Sequence, residues 1–152
     1  MLSAIEVAKK LESHVSGVAP GQPFHLTDVH TVGDLVWQGD LGIEVVAGVP
    51  KDYIQVDEPT DADRQLVPES GQGSHHRLKS LDGVKLYRPK DWGKSDTDLR
   101  GPCAVCSKPN AIVHEPGHAR PHGTVFIDCP MTVLGRYQRN LNIDNRAKRA
   151  ID

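Results

Sequence analysis

At 152 residues the chain has the size of one domain, and a domain of that size buries about two-thirds of its unfolded surface. Hydrophobic residues make up 38%, but only two Trp, two Phe and three Tyr are present, so the core is expected to be aliphatic and modest. Eighteen basic against twenty acidic residues give a formal charge of -2, which excludes a global electrostatic drive toward nucleic acid or anionic membrane and leaves only local contacts.

Ser3 followed by Glu6 fits a capping box, and Ile5, Ala8, Leu11 and Val15 recur near helical spacing until Gly17. An amphipathic helix is predicted over 3–15. Glu6, Lys9, Lys10 and Glu12 break the apolar run that a signal peptide needs, and no stretch approaches the length of a membrane span, so no membrane association is expected. Three cysteines, two of them in a C-x-x-C arrangement, do not resemble a secreted disulfide framework. The expected location is the cytoplasm or a virion assembled there.

Beyond the helix, Gly and Pro recur every few residues and the runs between them are short and often β-branched. Strands are predicted at 34–38, 42–47, 64–67, 84–88, 111–114, 124–128 and 131–138. Gly39-Asp40 and Asp82-Gly83 suit tight turns, while 57–63 and 89–102 read as polar connectors. The expected fold is therefore mainly β, a small sandwich or barrel of about seven short strands with one N-terminal helix. It forms a single domain over 1–152, with a β-rich body at 34–138 and a basic segment at 139–152 that reads as a short helix or an arm. Nucleotide phosphate loops and the G-x-S-x-G nucleophile elbow are missing from the sequence.

Soft metal ligands concentrate between Cys103 and Cys129, a stretch that also holds His114, His118 and His122. His114, Glu115 and His118 match H-E-x-x-H, a pattern that works when two histidines share one helix face. Here Pro116 and Gly117 intervene, and proline and glycine make a helix through this point unfavourable, so a zincin-type peptidase is not expected. Cys103 and Cys106 could instead offer two thiolates to one zinc from a tight turn, with His114, His118, His122 and Cys129 as candidates for the other two positions. The competing reading makes Cys103 and Cys106 ordinary small residues of a loop and Cys129 a buried strand cysteine. A thioredoxin-like role lacks its βαβ context.

A second constellation is Gly71-Gln72-Gly73-Ser74-His75-His76-Arg77-Leu78. Its glycines free the backbone to turn before a strand-like run, on which His75 and His76 point to opposite faces and cannot share a metal. One of them could join His114 or His118 if the strands pair. His14, His25 and His30 are assigned no role. Arg136, Arg139, Arg146, Lys148 and Arg149 are candidates for contact with phosphate or an acidic neighbour, against the alternative of a solvated face. Trp37 and Trp92 fit an interface anchor or a core position equally well.

The order GQGSHHRL, VKLY, LRGP, AIVHEPGHARPHG and VLGRYQRN resembles a widespread group of small β-rich bacterial and phage proteins. That group carries a G-[HS]-x-H-R turn, a histidine-bearing loop and a Y-x-V-x-x-Q-R strand. The resemblance runs from about Gln65 onward and matches His76 and Arg77, His114 and His118, and Gln138 and Arg139. Ser74 stands where the histidine-rich version has its first His, and the cysteine pair is not part of the pattern. The group implies a compact β fold and occurrence on phages or mobile elements, without an activity.

These readings converge on a non-catalytic binding or assembly module, phage-encoded and stapled by a structural zinc, with a protein partner or self-assembly. One alternative is a metal-dependent, hydrolase-like enzyme using His76, His114 and His118, with Glu115 as base. Another is a capsid decoration or minor structural protein of a virion.

Overall fold

The computed structural model of the protein describes residues 22–68, 75–95, 97–115, 123–141 and 147–150. Eleven strands occupy them: β1 (Phe24–Leu26), β2 (Leu35–Gln38), β3 (Leu41–Val46), β4 (Tyr53–Gln55), β5 (His75–Leu78), β6 (Val84–Pro89), β7 (Arg100–Cys106), β8 (Asn110–Glu115), β9 (Val125–Ile127), β10 (Met131–Leu141) and β11 (Ala147–Ala150). They form a four-stranded sheet in the order β1-β9-β8-β5 and a seven-stranded sheet in the order β2-β3-β10-β7-β6-β4, with β11 pairing β10. Pairing is antiparallel except between β1 and β9, which run parallel. The chain is mainly β, as expected, and sandwich-like; the sheets do not close into a barrel.

Alternation explains the longest strands. In β3, Leu41, Ile43 and Val45 face the interior, while Glu44 is partly exposed and forms an ion pair with Arg136 of β10. Gly39 adopts φ 57° in the β2–β3 turn and Gly83 φ 72° before β6, conformations that glycine reaches without steric penalty. Gly42 lies opposite Trp37, and a Cβ there would come within 2.9 Å of the indole. The aromatic ring thus occupies the space a side chain would need.

Leu26, Leu78, Ile112, Val125 and Ile127 from the smaller sheet meet Val36, Leu41, Ile43, Leu86, Ala104, Cys106 and Val133 from the larger in one core between the sheets. A second, smaller cluster of Tyr53, Cys103 and Leu134, with Val46, Val49 and Tyr87 against it, lies on the opposite face of the larger sheet. Val49 belongs to the connection that carries the chain from β3 to β4.

Three expectations need correction. About seven strands were predicted and eleven are present among the described residues; β7 and β11 fall where a connector, a ligand turn or an arm was read, and β1 and β4 lie in stretches for which no element was predicted. The strand expected at 64–67 is replaced by a 3₁₀ turn at Asp61–Arg64 followed by an isolated bridge from Gln65 to Arg77. Its cause is local: the Asp63 carboxylate accepts from the Thr60 amide at 2.7 Å and closes a turn. The third is the basic segment, part of which is strand β11 rather than a helix. The helix expected over 3–15 lies outside the described residues.

One polar side chain joins the two sheets from inside. Gln38 of β2 is fully buried, and its Nε2 donates to the carbonyls of Ile112 on β8 at 2.9 Å and of Gly123 at 2.8 Å. Its Oε1 lies 2.9 Å from Nδ1 of His76 on β5. Gln38→Leu keeps the volume but strands two carbonyls and a ring nitrogen, and is expected to lower unfolding free energy by roughly 2–4 kcal/mol. Urea denaturation with an unchanged m-value measures it; a loss under about 0.5 kcal/mol would show that the bridge contributes no net stability.

Candidate functional site

The cysteine pair falls inside an extended strand. β7 runs from Arg100 to Cys106, so Cys103 and Cys106, three residues apart, belong to opposite faces of the sheet. Cys103 packs with Tyr53 and Leu134 on the outer side, and Cys106 packs in the core between the sheets. Both are buried, and burial pushes the Cys103 thiol up to about 12 and the Cys106 thiol up to about 11. A shared zinc requires thiolates converging on one point; these are thiols held on either side of a sheet. Cys103 and Cys106 therefore do not converge from a tight turn, as the C-x-x-C spacing was expected to make them. Cys129 follows β9 in a partly exposed turn; burial and the charges of Asp28 and Asp128 raise its pKa.

The histidines divide differently. β5 and β8 pair in a register that sets His76 opposite His114, and their rings meet edge to face at 4.5 Å between centroids. Both lie in the interior: His76 is fully buried and His114 is 8% exposed. Gln38 orients the first of them. Because the Gln38 amide nitrogen is committed to two carbonyls, its oxygen faces His76, so Nδ1 of His76 carries the proton of that bond. His75 is placed by its backbone opposite Glu115 in the same ladder. His118 and His122 lie outside the described residues. Among the described residues, no group of three or more His, Cys, Asp and Glu side chains is arranged to hold a metal ion.

At the surface, other residues gather. The Arg88 guanidinium lies over the Trp92 ring at 4.3 Å and donates to Asp63 Oδ1 at 3.0 Å. Trp92 Nε1 donates to the Tyr137 hydroxyl at 2.7 Å, and that hydroxyl donates to the Leu66 carbonyl at 2.9 Å, tying the indole to the core. This ridge separates a cleft of about 450 Å³, lined by Gln65, Val67, Pro68 and Lys94, from one of about 260 Å³ lined by Ile54, Val56 and Lys90. The Thr60 amide, with Arg88 beside it, holds the Asp63 carboxyl below the usual range. On the other side of β4, Arg100 donates to Asp52 and Asp98 and lies over the Tyr53 ring at 5.3 Å.

Of the five basic residues considered for an anion, Arg136 is engaged by Glu44 at 2.7 Å. Arg139, Lys148 and Arg149 take register positions on the β10–β11 pair, and Arg146 lies outside the described residues. Of the histidines given no role, His25 accepts a defined place. It bonds Asp128 at 2.7 Å and stacks on Phe126 at 4.7 Å.

Sequence reasoning missed Gln38, Arg88 and Ile54. The signal for Gln38 was its position in phase with Val36 in LVWQ, an inward slot occupied by an amide. Comparison with family models, with curated proteins and with solved structures finds no match for the chain.

The thiols carry a pH signature. Their ordinary pKa is 9.0, so above that value the unfolded chain releases two protons that the folded chain keeps up to about 11 and 12. The unfolded state then binds fewer protons, and stability falls as pH rises, by at most roughly 1.4 kcal/mol per pH unit for each thiol. Urea midpoints measured from pH 8 to 10 should decline in the wild type and flatten in Cys103→Ala with Cys106→Ala. A wild-type curve flat over that range would contradict the buried-thiol arrangement.

Proposed function

We propose that the chain is a non-catalytic binding or assembly module, and that its resemblance to small phage proteins marks it as a structural or accessory protein of a phage particle or phage-encoded complex. What carries this reading is the placement of His76, His114, Gln38 and Cys106 in the interior, with Cys103 buried under the outer cluster. There they act as packing and as cross-sheet links, whereas catalysis needs a base or an open metal position facing a pocket. The solvent is met instead by shallow clefts beside the Arg88–Trp92 ridge and by sheet edges, features that suit contact with another macromolecule. Contact with phosphate or an acidic neighbour through Arg139, Lys148 and Arg149, joined by Arg146, belongs to the same reading. Docking on a capsid as a decoration protein is its most specific form. No described helix is long and apolar enough to cross a membrane.

The alternative of a metal-dependent enzyme draws on one observation, the contact between His76 and His114. In that reading His118 completes the ligand set and Glu115 is the base.

Metal content separates the two. For the binding module, protein purified without chelator should carry well under one equivalent of zinc or another transition metal, and EDTA should leave its melting temperature unchanged within about 1 °C. About one equivalent, lost in both His76→Gln and His114→Gln while Cys103→Ser with Cys106→Ser retains it, would overturn the module reading in favour of the histidine site.

A further inference from the structure

β4 ends the seven-stranded sheet, and among the described residues it pairs with β6 alone. The Val56 amide donates to Leu86, and the register sets Ile54 opposite Arg88, so Ile54 and Val56 turn their backbone groups inward toward β6. Tyr53 and Gln55, at the alternate positions, turn theirs to the outer edge. The Tyr53 amide is used by the Pro50 carbonyl at 3.1 Å, which leaves the Tyr53 carbonyl and both Gln55 groups along that edge.

This edge is also apolar and held in place. Ile54 is 54% exposed and, with Val32, is one of two large hydrophobic side chains that the described residues leave in solvent. Tyr53 anchors the strand through its hydroxyl, which donates to the Gly101 carbonyl at 2.8 Å, while Arg100 holds neighbouring Asp52 at 2.9 Å. The edge of β5, by contrast, is closed: Gln65 bridges Arg77, the Leu66 amide donates to His76, and Arg64 donates to the Leu78 carbonyl. Natural sheets protect such edges with charge, proline or a covering segment.

The segment is self-complementary. Exposed Lys51 precedes β4, and exposed Asp57 and Glu58 follow it. Two copies laid antiparallel about Ile54 would set Lys51 of each near Asp57 of the other, and would give Gln55 an acceptor in the partner's Tyr53 carbonyl.

We infer that β4 is a self-association edge, where a second copy of this chain adds antiparallel with Ile54 on the two-fold axis. The inference rests on the assembly reading above and names the partner. Ile54 then meets its own copy as a non-hydrogen-bonded pair, and the two larger sheets become one continuous sheet across the dimer. A three-residue strand offers two ladder bonds and one apolar contact, so the association is weak and reversible unless a particle concentrates it.

Cysteine cross-linking tests the register. Opposed Cα atoms of such a pair lie about 4.5 Å apart, within disulfide range. In a Cys129→Ser background, Ile54→Cys should form a covalent dimer under mild oxidation about tenfold faster than Val32→Cys, the other exposed apolar position. Ile54→Lys should sediment as a folded monomer at concentrations where the wild type is dimeric, its fold verified by an unchanged circular dichroism spectrum. Equal cross-linking at positions 54 and 32, or a wild type that stays monomeric at its highest soluble concentration, would overturn the inference. Either result leaves a module that docks on a different protein intact, since that reading falls on metal content instead.

Discussion

An amide buried in a β-sandwich is under strict constraint, because nothing but protein can satisfy it. Gln38 meets that constraint by crossing from the larger sheet to two backbone carbonyls, one of them on β8, and to the imidazole on β5. Shifting β2 by one residue would move Val36 and Gln38 to the outer face together and leave those partners bare. Aliphatic packing alone tolerates many registers at similar energy, and a core with few aromatics has little shape to choose among them. The polar link therefore supplies discrimination that the apolar contacts lack. It also fixes the orientation of His76, and through the edge contact it sets the environment of His114.

The cysteines teach a different lesson about spacing. Two residues between cysteines suit a metal knuckle only if the chain turns, and the residues between them here are Ala104 and Val105. An apolar pair flanked by buried positions favours a central strand, and the turn comes afterwards at Ser107–Pro109. β10 and β6 hydrogen-bond to both sides of β7, so the ladder holds that strand extended along its length. The same arithmetic that excludes both thiols from one ion brought the histidines together: His75 and His76 alternate, and the one in phase with Leu78 turns inward toward β8.

Legibility followed strand length and local cause. Leu41–Val46 and the start of β10 alternate over enough residues to be read from pattern, and Gly39 and Gly83 mark the turns before β3 and β6 by conformations other residues avoid. β1 and β4, three residues each, are too short to show a period and are defined by pairing, β4 with the longer β6 and β1 with the equally short β9. Residues 64–67 have the apolar content of a strand, yet the Thr60–Asp63 turn decides their course. Of the site residues, the histidine pairing was readable as a conditional and became actual once β5 met β8. The Arg88–Trp92 ridge was not readable, since it depends on how the connector after Pro89 folds back over the sheet edge.

That connector and the β3–β4 crossing have a joint consequence for the surface. To reach the far edge of the sheet from β3, the chain passes over the outer face and buries Cys103 and Leu134 beneath Val49 and Tyr53. Stability of the outer cluster and presentation of β4 are therefore one property: loosening Tyr53 from Gly101 would expose apolar surface and release the edge strand at the same time. An edge held this firmly loses little conformational entropy when another strand joins it. A chain with nearly balanced charge has little electrostatic steering to draw on, so the self-association inferred above depends on the preorganisation of this edge.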